Sequence, residues 1–254
     1  MCTRYVLLQE HLRELLARLG LDADAGFVSR YNIAPGSFIP AVRTQSRTAR
    51  PAVPAHRNLG EVGNFPNGRE AVALRWGLVP SWAKSDDGTQ LVNARAETLT
   101  AKPSFRDALR SRRCLIPASG FYEWETIGRA KKPWLFRWRD EQPFAFAGLW
   151  DSWRASDGAT LETCAMITTE PNELMRPIHN RMPVILTPEQ FDPWLDALVT
   201  EPEKLAPLLH PPSATAMSAV PVSRHVSNVR HEGPECLAPA ESDEAGDAQF
   251  SLGL

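Results

Sequence analysis

No two cysteines in this chain are spaced as a CxxC pair, although it holds four, Cys2, Cys114, Cys164 and Cys236. That spacing excludes the usual zinc-finger and ribbon sites. No apolar run is long enough to span a bilayer. The N-terminus also lacks the basic, apolar and small-residue succession of a secretory signal. The expected compartment is the cytoplasm, with nucleoid association when bound to DNA, and in a reducing cytoplasm the thiols stay free. No strong charge of either sign is present: the net charge is −2, which by itself argues against a nucleic-acid binder. No internal repeat is visible.

What is present is an ordinary globular composition with an uneven charge distribution. The 254 residues are 43% hydrophobic and 23% charged, enough for one sizeable domain or two small ones. Residues 231–254 carry Glu232, Glu235, Glu241, Asp243, Glu244 and Asp247 and no Lys or Arg. The remaining body holds 28 basic residues against 24 acidic ones, a mild positive balance compatible with a nucleic-acid partner. The eight tryptophans suit either a core or platforms for bases.

The hydrophobic pattern favours short strands. Leu8, Leu12, Leu15, Leu16 and Leu19 share one helical face, and Gly20 offers a stop. Residues 28–43 read as strand, Pro-Gly turn and strand, and 44–69 as a long loop rich in Pro, Gly, Asn and Arg. Residues 71–76 alternate as a strand, and 77–103 show little periodicity. Ser104 is expected to cap a helix running to Arg112. Runs at 113–117, 120–125, 134–139, 144–150 and 161–168 read as strands separated by turns. Short helices are expected near 170–176, 188–196 and 201–210, and a last strand at 217–222. The pair Lys131 and Lys132 reads as a solvated turn. The predicted fold class is α+β: a single domain over residues 1–230, with a β-rich, barrel-like or sandwich core of short, mostly antiparallel strands and a few helices. Residues 231–254 are expected to form an acidic, disordered tail.

Cys2 has a distinctive chemical potential. Removal of Met1 leaves a 1,2-aminothiol, whose amine condenses with an aldehyde and whose thiol then closes a thiazolidine ring. Near neutral pH both groups have reactive fractions at their ordinary pKa values, about 8 and 8.5. Position alone does not favour this, since many chains carry a small second residue. Further along stand Tyr31-Asn32-Ile33-Ala34-Pro35-Gly36, Trp76-Gly77-Leu78-Val79-Pro80-Ser81-Trp82-Ala83, and Asn93-Ala94-Arg95-Ala96-Glu97-Thr98. Then follow Arg113-Cys114-Leu115-Ile116-Pro117-Ala118-Ser119-Gly120-Phe121-Tyr122-Glu123-Trp124, Phe146-Ala147-Gly148-Leu149-Trp150, Thr168-Thr169, and Pro177-Ile178-His179-Asn180-Arg181-Met182-Pro183.

In this order and spacing, from Cys2 to about residue 222, the chain resembles the SRAP family of SOS-response-associated peptidases, or abasic-site-processing proteins. The family's usual opening is Met-Cys-Gly-Arg, and Thr3 departs from it. The resemblance implies that Cys2 is the covalent nucleophile after Met1 removal, that Glu123 and His179 are catalytic, and that Asn93 belongs to the active site. A carboxyl and an imidazole suit the proton transfers that open a closed sugar and expel water from an imine. The amide of Asn93 can hold the nucleophile or sugar without changing charge. Without the resemblance, Glu123 reads as a strand residue facing solvent, His179 as a structural histidine and Asn93 as a turn former.

The implied substrate is single-stranded DNA carrying abasic sites, with no metal or organic cofactor and no membrane; no protein partner is inferable from the sequence. By resemblance Arg4, Pro35, Trp76, Trp82 and Arg95 lie near the strand, although tryptophans are also natural core residues. Autoproteolytic removal of Met1 and a β-elimination at the lesion are linked expectations. Two other functions share these residues: a cysteine peptidase acting on other proteins, and a non-catalytic module that binds single-stranded nucleic acid.

Overall fold

A computed structural model describes residues 2–21, 26–44, 68–86 and 90–240. Most of the long loop expected at 44–69 lies outside the described residues, as does 241–254. In chain order the elements are β1 (Tyr5–Leu7), α1 (Gln9–Arg18), β2 (Arg30–Ile33), β3 (Phe38–Thr44), β4 (Arg69–Trp76), β5 (Asn93–Arg95), α2 (Pro103–Ser111) and β6 (Arg113–Ala118). They continue with β7 (Gly120–Ile127), β8 (Ala130–Trp138), β9 (Phe144–Arg154), β10 (Thr160–Thr169), β11 (Met182–Pro183), β12 (Ile185–Leu186), α3 (Pro188–Leu195), α4 (Pro202–Leu205) and β13 (Met217–Pro221).

Strands β6 and β9 are buried along nearly their whole length rather than on alternate residues. Such strands need cover on both faces. Inside, β3, β4, β6, β9 and β10 pair in turn, and the β9–β10 pairing closes them into a barrel. Outside, α1, α2 and α3 pack over β6, and α2 also over β9. Closure removes the exposed edges of an open sheet. The β10–β4 and β10–β5 pairings are parallel. A second, antiparallel sheet has the order β13-β8-β7-β1-β2. The architecture is thus the expected α+β fold, with a five-stranded mixed barrel at its centre.

Local chemistry sets the element ends. Helix α1 buries Leu12, Leu15 and Leu16. Gly20 follows with φ 70°, donating to the Ala17 carbonyl at 3.0 Å while Leu21 donates to that of Leu16 at 2.9 Å. This closing motif needs a left-handed residue, which glycine supplies without strain. Helix α3 starts with a reciprocal pair: the Thr187 N–H donates to Gln190 Oε1 at 3.0 Å, and the Thr187 side chain accepts from the Gln190 backbone. Ser104 is not the cap of α2. The helix begins at Pro103, whose missing N–H is no loss at a first helical position. No helix forms near 170–176. Residues 173–178 make a turn instead, tied by the Asn172 side chain accepting from the Met175 N–H at 3.0 Å. Lys131 and Lys132 lie in β8, and the turn precedes them.

The tail expectation also needs correction for residues 231–240. Glu232 accepts from the backbone N–H groups of Tyr31 and Asn32 and pairs with Arg30 at 3.3 Å. These are groups of β2, the edge strand of the open sheet, and covering them prevents stray pairing. Asn32 is buried and its amide reaches the carbonyls of Val226 (3.1 Å), Asn228 (2.9 Å) and His231 (3.0 Å). Cys236 is fully buried, and Val222 bridges to Pro239. An acidic residue was read there as a sign of solvation, but this carboxylate serves as a backbone acceptor.

Barrel and open sheet are joined where β6 becomes β7 through Ser119. The Ser119 N–H donates to the Val6 carbonyl at 2.8 Å, and its hydroxyl accepts from the Leu8 N–H at 2.8 Å. A Cβ on Gly120 would lie 2.9 Å from the Phe136 carbonyl oxygen and 3.0 Å from Leu135 Cδ1. Gly120→Ala therefore forces β7 and β8 apart. It is expected to cost about 1–3 kcal/mol, the usual range for overpacking, measured as a lowered urea midpoint at unchanged slope. An unchanged midpoint would show that the sheet gives way freely.

Candidate active site

The register of β1 against β7 brings the chain start to Glu123. Tyr5 faces Phe121 and Val6 faces Gly120, and the Tyr122 N–H donates to the Arg4 carbonyl at 3.0 Å. Carrying this pairing back toward Cys2 carries it forward toward Glu123. Cys2 is fully buried, and its thiol points at the Arg4 carbonyl at 3.7 Å. The Cys2 carbonyl accepts from the Asn93 amide at 3.0 Å. Asn93 is placed by β5, paired parallel to β10 with Asn93 opposite Met166. Its Oδ1 is buried with no hydrogen-bond partner among the described residues, an acceptor held beside the Cys2 backbone.

Glu123 does not face solvent. It is only 4% exposed. Burial pushes its carboxyl above the ordinary range, and the His179 imidazole opposes that shift in part. Burial likewise pushes the Cys2 thiol well up, and the Glu123 carboxylate adds to the rise. His179 is half-buried just beyond the turn at 173–178, with its N–H donating to the Met175 carbonyl at 2.9 Å. Its Nδ1 sits between two backbone groups of Arg181, the N–H at 3.0 Å and the carbonyl at 3.1 Å. One partner suits each neutral tautomer, so the ring is held in place whichever nitrogen carries the proton. Cys2, Asn93, Glu123 and His179, spread over most of the sequence, are thus brought together.

The residues expected near a bound strand divide into two groups. Trp76 is a core residue, fully buried, with Nε1 donating to the Val92 carbonyl at 3.0 Å and Tyr5 against its edge. It offers no face to a base. Arg4 is also buried, donating to Asn32 Oδ1 at 2.8 Å and to the Val226 carbonyl at 3.0 Å. It fastens the strand that follows Cys2 to the segment around Val226. Trp82 is 65% exposed, Arg95 is exposed, and Pro35 is half-buried in the Pro-Gly turn. Arg95 lines a cleft of about 580 Å³ together with Glu97, Thr98, His179, Asn180 and Arg181. Arg181 and Glu97 stand within the quoted motifs, but sequence reasoning assigned neither a role. The signal was proximity: Arg181 stands two residues after His179, and Glu97 four after Asn93. Thr3, where glycine was expected, has no positive φ; among described non-glycine residues only Glu141 does. Its backbone is therefore one that any residue adopts.

Among the described residues no cluster of His, Cys, Asp and Glu is arranged to hold a metal ion, and no helix is long and apolar enough to cross a membrane. The four cysteines are buried and unbridged.

Comparison with known proteins places this geometry. The family model for SOS response associated peptidase (SRAP) matches residues 1–229. The chain belongs to the SRAP family. Among similar proteins, the abasic site processing protein YoqW of Bacillus subtilis (strain 168) is 39% identical over 242 residues, covering 93% of this chain and 99% of that one. The abasic site processing protein HMCES of Gallus gallus is 30% identical over 231 residues, covering 81% of this chain and 68% of its own length. An X-ray crystal structure of a protein from Bacteroides thetaiotaomicron superposes with a TM-score of 0.74 at 26% identity, covering 95% of this chain and 98% of that one. The SRAP match stops at residue 229, whereas the packing described above runs on to residue 240.

The buried Glu123 makes a prediction about stability. Its folded-state pKa lies above the unfolded value, so the folded protein holds this proton more tightly. Stability from this group is greatest below about pH 4.3, the ordinary carboxyl value, and is lost as pH rises through the folded value. Glu123→Gln has no proton to lose. Its stability relative to the native chain should therefore rise between pH 4 and 8, read by thermal denaturation at each pH. Parallel curves would show that the carboxylate is buried at no cost.

Proposed function

We propose that this protein captures abasic sites in single-stranded DNA by forming a thiazolidine between Cys2 and the ring-opened sugar, protecting the lesion during the DNA damage response. The observation that carries the reading is the meeting of buried Cys2 and Glu123 with half-buried Asn93 and His179 beside a cleft. The names of the abasic site processing relatives support the substrate class.

The chemistry follows from the groups. Hydrolysis of the Met1–Cys2 peptide bond frees the α-amine. Opening the hemiacetal needs one oxygen protonated and another deprotonated. Glu123, whose carboxyl stays protonated to higher pH than usual, and His179 supply that pair. The amine adds to the aldehyde carbon, water leaves, and the thiol adds to the resulting iminium carbon while its proton passes to a base. One water is released per ring formed. Asn93 fixes the Cys2 carbonyl and offers its buried oxygen to the amine or to a sugar hydroxyl. The same iminium acidifies the adjacent sugar carbon, which gives a β-elimination path. Arg95, Trp82 and Pro35 are positioned to hold the strand, and the protein acts in the cytoplasm at nucleoid DNA.

A peptidase acting on other proteins through a Cys2 thiolate is less well supported. Such enzymes depress the nucleophile's pKa, whereas burial and Glu123 raise it here. A plain binding module gains nothing from a buried carboxyl at this place.

Purified protein is mixed with a single-stranded oligonucleotide bearing one abasic site and resolved on a denaturing gel. A retarded band is expected for the native chain and absent on undamaged DNA. Cys2→Ala should give none. Cys2→Ser keeps the amine and should give a band only after borohydride reduction of the imine. Glu123→Gln should slow band formation about a hundred-fold or more, the usual contribution of a general acid or base. A full-strength band from Cys2→Ala would remove Cys2 from the mechanism. Residues added ahead of Cys2 convert its amine to an amide and should abolish the reaction.

A further inference from the structure

The Glu97 carboxylate lies outside the reacting groups, is 56% exposed on its side chain, and yet is tied into them. It stands in the short turn of 3-10 helix directly after β5, two residues beyond Arg95 and four beyond Asn93. Both of its oxygens contact the Arg181 guanidinium, Oε2 at 3.0 Å from Nη2 and Oε1 against Nη1. This two-pronged geometry fixes the fork in its plane. The same Nη2 donates to the Thr168 carbonyl on β10 at 2.7 Å, so the guanidinium is held from two sides and is only 14% exposed. The backbone of Arg181 in turn brackets His179 Nδ1. Arg181 holds the Glu97 carboxyl below its ordinary range, so it is charged throughout the working pH.

We propose that Glu97 is a positioning residue: through Arg181 it sets the His179 ring relative to the Cys2–Asn93 half of the site. The inference rests on the proposed capture of abasic sites. Glu97 contacts no reacting atom. A second carboxylate beside the cleft works against binding of a phosphate backbone, so its presence is explained by geometry rather than by affinity. Its loss therefore lowers the maximal rate and leaves strand affinity equal or higher.

The test compares native protein, Glu97→Gln and Glu97→Ala. Three quantities are read: the maximal crosslinking rate on an abasic oligonucleotide, affinity for the undamaged oligonucleotide, and the ¹⁵N signals of the His179 ring at fixed pH without DNA. Expected for Glu97→Ala is a rate lowered roughly ten- to a hundred-fold, the scale of a misplaced catalytic group. Undamaged-strand binding should be no weaker, and the His179 ring signals shifted or broadened. Glu97→Gln, which keeps one acceptor oxygen, should fall between. Glu97 is exposed, and matching melting curves will show that both variants are folded. A native-like rate with unchanged ring signals overturns the proposal, as does a rate loss that tracks an equal loss of affinity. Should the native protein form no crosslink, the capture reading fails, and the ring signals alone decide whether Glu97 positions His179.

Discussion

Between the closed barrel and the open sheet one strand path runs unbroken, and at its crossing there is no space for a side chain. Gly120 meets the Phe136 carbonyl where a Cβ would stand, and Ser119 binds the backbone of Val6 in β1 and of Leu8 just after it. That contact sets the register of β1 on β7, and the register sets Glu123 beside Cys2. The barrel then contributes the other half of the site. β10 carries β5 and with it Asn93, and its end leads through the turn at 173–178 to His179. The position of the site residues is thus largely a consequence of two sheets joined where β6 passes into β7.

Much of this was readable in the sequence, for identifiable reasons. Strong periodicity in α1 and the apolar runs of β6, β9 and β10 predicted real elements, since burial on one or both faces leaves a regular mark. The Pro-Gly turn and the Pro188 helix start were also legible, because each depends on a backbone restriction intrinsic to one residue. What failed depended on distant partners. Nothing local distinguishes a Trp76 that packs on Tyr5 from one that stacks on a base, or an Arg4 bonded to Val226 from one bonded to phosphate. Glu232 read as tail acidity because its partners, the N–H groups of β2, stand 200 residues earlier. Cys2, Asn93, Glu123 and His179 were singled out by family resemblance, not by pattern. The structure adds that Glu123 is buried, where residue type alone suggested solvent.

The site also carries a cost. A carboxyl and a thiol, both taken from water, are held in a form more protonated than usual. A protein selected for stability alone would place apolar groups there. The penalty to the fold and the altered protonation of these groups come from the same loss of solvent.

The anchoring of Arg4 has a consequence for how the molecule is made. Its carbonyl partner, Val226, is 222 positions away, so this one fastening of the N-terminal segment forms only when nearly the whole chain has left the ribosome. Contacts of such separation form late. Until then the segment is held by its pairings with β2 and β7. Sequence separation thus makes the segment after β13 the last to secure β1.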